Sequence, residues 1–154
     1  MTPHGEIFGI FLKESIPSGL SIEETISRIR EQDGLVGAPH PFDTLVRVGL
    51  GEQIVEEIVE HIDFLEVFNA RSPLLKASVQ AKAFAQKYSI PQSAGSDAHS
   101  AYEIGYTFVE MLEFNGKEDF LQALSQGKIV ARQASHLVHF ASTWAKIKRK
   151  FKRW

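Results

Sequence analysis

Cysteine is absent from the 154 residues, and that one absence removes thiolate zinc sites, catalytic thiols and any disulfide framework. No run approaches the roughly 18 apolar residues that a bilayer-spanning helix needs. The opening Met1-Thr2-Pro3-His4-Gly5-Glu6 has neither the cationic nor the apolar region of a secretory signal. Membrane spanning and export are therefore not expected, and a cytoplasmic location is. There is no charge excess either, with 17 Lys+Arg against 19 Asp+Glu. What is present suits one soluble globular domain: 44% hydrophobic and 10% aromatic residues in a chain long enough to bury roughly two thirds of its unfolded surface.

The net charge of -2 is unevenly spread, because six basic groups fall between Lys146 and Trp154 and leave -8 for the rest. The body is acidic and the tail cationic. From Trp144, the residues Ile147, Phe151 and Trp154 recur at helical intervals among those cations. Such a basic amphipathic end fits anionic lipid, nucleic acid or a partner groove, and equally a solvated helix packed on its own domain.

Glu6 to Leu12 is a short apolar, β-branched and aromatic run that ends in charge and then Pro17-Ser18-Gly19, the pattern of a buried strand and a turn. Ser21 followed by Glu24 forms a capping box, and Ile22, Ile26 and Ile29 continue it as a helix over about 21–32. Residues 35–38 read as a strand that delivers Pro39-His40-Pro41-Phe42-Asp43. The alternation continues with a helix over 51–61, a strand over 64–68, a helix over 73–88 and a brief strand before Ala94-Gly95-Ser96-Asp97-Ala98-His99. A strand over 106–111, a helix over 117–126, a strand over 128–131 and a helix over 136–154 complete it. Alternation of this kind predicts α/β architecture with βα units around a parallel sheet.

Polar residues cluster where the predicted strands end. His40, the pair Asn69 and Arg71, and the pair Asp97 and His99 each follow a strand's carboxyl end, the edge on which barrels and open α/β sheets build active sites. Asp97 and His99 are two positions apart, so in an extended segment both side chains can reach one cavity and share a cation. The bland reading is a turn aspartate beside an exposed histidine. His40 lies between two prolines, which predicts an extended backbone, and it reads as a metal ligand or as a hydrogen-bonded core histidine. Imidazole and carboxylate without thiolate suit zinc, manganese or iron. The Arg71 guanidinium can fork onto two phosphate oxygens or pair with an acid at the surface. His61 falls at a helix end, where it suits the helix dipole. His136 and His139 share a helix face without a carboxylate.

Gly5-Glu6-Ile7-Phe8-Gly9-Ile10-Phe11-Leu12, Pro17-Ser18-Gly19-Leu20, Pro39-His40-Pro41-Phe42-Asp43, Glu66-Val67-Phe68-Asn69-Ala70-Arg71 and Gly95-Ser96-Asp97-Ala98-His99 occur in one order. In that order they resemble the PHP family, the polymerase and histidinol phosphatase domain, from about residue 4 to about residue 145. The resemblance implies a distorted (βα)7 barrel that binds up to three divalent metals, usually zinc, manganese or iron, and hydrolyses phosphomonoesters or phosphodiesters. His40 matches a metal-ligating histidine, and Asp97 with His99 match the closing Asp-x-His ligand pair. Glu6 falls where many members carry a ligating histidine, so a carboxylate replaces an imidazole; His4 is a second candidate. Asn69 and Arg71 resemble strand-end residues that face substrate.

Family members begin with a His-x-His pair that this sequence lacks before Glu6. It resembles the later portion of a PHP domain, an incomplete barrel over 1–143 without the early strands and with a basic end over 144–154. The resulting expectation is a metal-dependent phosphoesterase of a phosphorylated small molecule or nucleotide, inactive alone where the early ligands are missing. The competing expectation is a non-catalytic binding module that uses its tail on nucleic acid or an anionic membrane.

Overall fold

A computed structural model describes residues 1–44, 49–73 and 75–132. The expected helix over 136–154, with His136, His139 and the basic tail, lies outside the described residues. Within them the order is β1 (Phe8–Ile10), α1 (Ile22–Glu31), β2 (Leu35–Ala38), α2 (Glu52–Glu57), a 3-10 turn (Val59–His61), β3 (Phe64–Asn69) and α3 (Leu75–Lys87). Then come β4 (Gln92–Gly95), a second 3-10 turn (Ala101–Glu103), β5 (Phe108–Glu110), α4 (Lys117–Ser125) and β6 (Lys128–Val130). Among the described residues no helix is long and apolar enough to cross a membrane.

α1 forms where the isoleucine spacing places it, with Ile22, Ile26 and Ile29 buried on one face. Ser21 Oγ accepts the Glu24 backbone N–H at 3.1 Å, which satisfies one donor of the first turn. The other half of the expected capping box is replaced, because the Glu24 carboxylate accepts from Arg28 Nε at 2.8 Å. The helix expected over 51–61 divides into α2 and the 3-10 turn, and Arg30 caps that turn by donating to the His61 carbonyl at 2.9 Å.

The main sheet has the order β1-β2-β3-β4, and β5 pairs with β6 in a separate two-stranded sheet. β2 runs parallel to β3 and β3 to β4, as βα units require. Two pairings depart from the parallel expectation: β1 is antiparallel to β2, and β5 is antiparallel to β6. The first departure has a geometric consequence. With Phe8 opposite Gly37, the residues before β1 lie beside those after β2, so Glu6 reaches the edge where the parallel strands end. A parallel β1 would have left Glu6 at the opposite edge.

Val36, Leu65 and Val67 from the sheet pack with Ile26 and Ile29 of α1 and Phe84 of α3 in one core. A smaller cluster joins Leu35 and Phe64 to Leu124 of α4. Leu65 is fully buried in the core. Its truncation to alanine leaves a cavity that neighbours fill only in part, so Leu65→Ala is expected to lower stability by about 3 kcal/mol, read as a shifted midpoint in denaturant unfolding.

Candidate functional site

β3 carries an irregularity on which the site depends. Glu66 faces Ser93 while Phe68 faces Ala94 and Asn69 faces Gly95, so one extra residue is accommodated between Glu66 and Phe68. In a regular strand, residues three apart point to opposite faces. The bulge restores them to the same side, and Asn69 Nδ2 donates to Glu66 Oε2 at 3.3 Å. Gly95 makes room for the result, since a Cβ there would sit 2.5 Å from Glu66 Oε1. The missing side chain at position 95 admits a carboxylate of this chain.

Glu66 joins the strand ends. Its Oε2 accepts the His40 backbone N–H at 2.7 Å, while the Asn69 amide also donates to Asp97 Oδ2 at 3.3 Å. Across the cleft, His40 Nε2 lies 3.2 Å from Glu6 Oε2. Glu6, His40, Glu66, Asn69 and Asp97 therefore line one open cleft of about 340 Å³, together with Met1, Ile7, Phe8 and Pro39. His40 is not extended as its flanking prolines predict: its φ is +29°, and Asp97 has φ +48°. Left-handed geometry in non-glycine residues is held only where surroundings over-determine it. Here the Glu66 bond and the turn closed by Asp43 N–H on the His40 carbonyl at 3.1 Å provide that constraint.

The left-handed turn at Asp97 also directs His99. Instead of lining the cleft beside Asp97, its exposed ring sits at the rim, with Nδ1 2.8 Å from the Asp97 carbonyl oxygen and 3.7 Å from Asp97 Oδ1. The period-two argument for a shared direction holds only for extended backbone.

Arg71 is neither at the surface nor part of the cleft lining; it is 4% exposed, and its Nη1 pairs with the buried Glu103 carboxylate. Its backbone N–H donates to Asn69 Oδ1 at 2.9 Å. Glu103 Oε2 accepts from His99 N–H at 3.0 Å and from Ser100 Oγ at 2.8 Å. The pair thus fastens the loop after β4 to the end of β3. Burial alone would raise the Glu103 carboxyl, but the bonds from Ser100, Arg71 and the His99 N–H outweigh it and hold the group below the ordinary glutamate range. Glu66 and Glu103 escaped the sequence reading, because each resembles an ordinary solvated glutamate there. The nearest signal was the position of Glu66 inside a block that carries the family resemblance.

Among the described residues no three His, Asp or Glu side chains converge closely enough to hold an ion. The donor set nevertheless fits a divalent cation in kind. Glu6 and His40 already face one another, Glu66 is pushed up chiefly by burial with the Asp97 charge adding to the effect, and a cation relieves such crowding of carboxylates. His4, exposed near the amino terminus, does not line this cleft.

The raised Glu66 carboxyl has a signed consequence. The folded chain keeps this proton to higher pH than the unfolded chain does, so its penalty is absent at low pH and develops as pH rises from the ordinary glutamate value through the raised one. Glu66→Gln, which preserves an acceptor for His40 N–H, is therefore expected to raise the metal-free unfolding midpoint at pH 8 and to leave it nearly unchanged at pH 4. Thermal melts across that range check this, and an equal shift at both ends would contradict it. Removing one partner of the buried Arg71–Glu103 pair acts differently: Glu103→Ala is expected to cost about 3–5 kcal/mol, measured by denaturant unfolding.

An uncharacterized protein of Methanocaldococcus jannaschii, MJ0417, is 37% identical over 117 residues, which cover 74% of this chain and 49% of that protein. A second uncharacterized protein of the same organism, MJ1587, is 51% identical over 70 residues, covering 46% of this chain and 39% of its own length. The chain spans about half the length of these curated relatives or less. The crystal structure of PsfC from Pseudomonas syringae PB-5123 is similar in fold, with a TM-score of 0.59 at 17% identity, covering 88% of this chain and 56% of that one. Residues 77–129 match the family model described as PHP-associated, a stretch that runs from α3 to β6 and includes Asp97, His99 and Glu103. Over residues 77–129 the chain is thus similar to the family described as PHP-associated.

Proposed function

We propose that this chain takes part in metal-dependent phosphoester hydrolysis, with Glu6, His40, Glu66 and Asp97 as donors to divalent cations and a phosphorylated small molecule or nucleotide as substrate. The observation that supports this reading is the convergence of four strand ends on one cleft lined by three carboxylates and an imidazole. Zinc, manganese or iron, up to three ions in the complete domain, would supply activated water and charge neutralisation at phosphorus.

This chain's own residues perform the remaining work. Glu66 anchors the His40 backbone, and Asn69 holds Glu66 and Asp97 at fixed separation with one amide. Arg71 acts through Glu103, which fixes the His99 backbone. His99, at the rim beside Asp97, is placed to close on an ion with Asp97 or to give a proton to a departing alkoxide. MJ0417 is about twice as long as the portion matched here, and in this reading a complete domain of that length would hold further ligands and close a distorted (βα)7 barrel. The binding-module alternative depends on the basic tail, which lies outside the described residues.

Manganese titration of the purified chain, followed by calorimetry, tests the ligand assignment. His40→Gln and Asp97→Asn are each expected to weaken binding by at least about tenfold, since each removes a donor. Equal affinity in wild type and both variants would overturn it. For hydrolysis of a generic phosphodiester, Asp97→Ala is expected to abolish any turnover found, and unchanged turnover would refute the catalytic reading.

A further inference from the structure

Asp43 is the most deeply buried carboxylate on the cleft side of the sheet, 1% exposed, and among the described residues neither of its oxygens has a hydrogen-bond partner. The Nδ1 of His40 is likewise buried without a partner among them. Both residues line one small volume of about 10 Å³, with Asn69, Ser72 and Ser78 around it. That volume holds about one water molecule. A carboxylate and an imidazole nitrogen, each buried without a direct partner among the described residues, thus belong to two residues that border one space of one-water size, while the other ring nitrogen of His40 faces Glu6.

The local chain holds them in this relation. The Asp43 N–H closes a turn onto the His40 carbonyl at 3.1 Å, and the Gly51 N–H donates to the Pro41 carbonyl at 2.9 Å. Gly49 packs against the same turn so closely that a Cβ would meet the His40 and Pro41 carbonyl oxygens at 2.9 Å. The Asp43 backbone is therefore fixed relative to that of His40.

We propose that Asp43 is a positioning residue for His40: through one buried water its carboxylate accepts the Nδ1–H, which fixes the tautomer and leaves the Nε2 lone pair directed at the cleft. In a neutral imidazole one nitrogen carries the proton and the other is the available ligand. A carboxylate behind a metal-binding histidine selects that arrangement and strengthens the donor. The proposal deepens the reading of His40 as a ligand and rests on it, but the tautomer itself is a property of the metal-free chain.

The test is nitrogen-15 NMR of the imidazoles in the metal-free chain, with His40 assigned by comparison with His40→Gln, at a pH where the rings are neutral. The wild type is expected to show His40 protonated at Nδ1, and Asp43→Asn and Asp43→Leu are expected to shift the population toward the Nε2–H form. A wild-type ring protonated at Nε2, or a tautomer indifferent to both substitutions, overturns the proposal, and the wild-type spectrum decides even where a variant fails to fold. In manganese titration Asp43→Asn is expected to lose about 10- to 100-fold in affinity. If the tautomer behaves as expected while affinity ignores both Asp43 and His40, the role of Asp43 in setting the tautomer stands and the reading of the cleft as a metal site fails.

Discussion

The placement of one carboxylate, that of Glu66, between three strand ends constrains the rest of the cleft. It takes the His40 backbone N–H, shares the Asn69 amide with Asp97 and occupies the space that only glycine at position 95 leaves open. Burial raises its carboxyl, so the fold tolerates an unfavourable charge where three loops meet. Buried like charges are costly unless a counter-charge joins them. The same feature underlies both the expected loss of metal-free stability at high pH and the proposed cation site. On the outer side, the Arg71–Glu103 pair performs the opposite task, since its charges are matched and its carboxylate bonds fix the loop that carries His99.

The sequence made most of the element pattern legible because hydrophobic spacing and capping are local. The α1 isoleucines, the Ser21 cap and the short apolar runs of β2 and β3 all form where spacing places them. Strand sense is not local. Nothing in Phe8–Ile10 distinguishes a parallel neighbour from an antiparallel one, and the antiparallel choice is what carries Glu6 to His40. The bulge in β3 is similarly silent, because Glu66 and Asn69 share a side only through an inserted residue that pairing with β4 reveals.

At the level of single residues the result is divided for the same physical reason. His40 and Asp97 were legible as strand-end polar residues, and both line the cleft. Their backbone geometry was not, since proline context predicts extension at His40 and the structure holds positive φ at both. That twist leaves His99 at the rim. Arg71 was expected either on phosphate or paired with an acid at the surface, and it does pair with an acid, but a buried one 32 residues away in sequence. A pairing of that separation has no signature in either residue's neighbourhood.

The PHP-associated match over residues 77–129 includes Asp97 of this cleft, and the central proposal is that His40, together with a carboxylate of Glu66 or Asp97, binds one divalent ion there. Anomalous diffraction from crystals of the chain soaked in manganese measures this most directly. The account predicts a peak in the cleft within about 2.0–2.3 Å of His40 Nε2 and of a carboxylate oxygen of Glu66 or Asp97. A fully loaded ion elsewhere on the surface, with that cleft empty of anomalous signal, would contradict it.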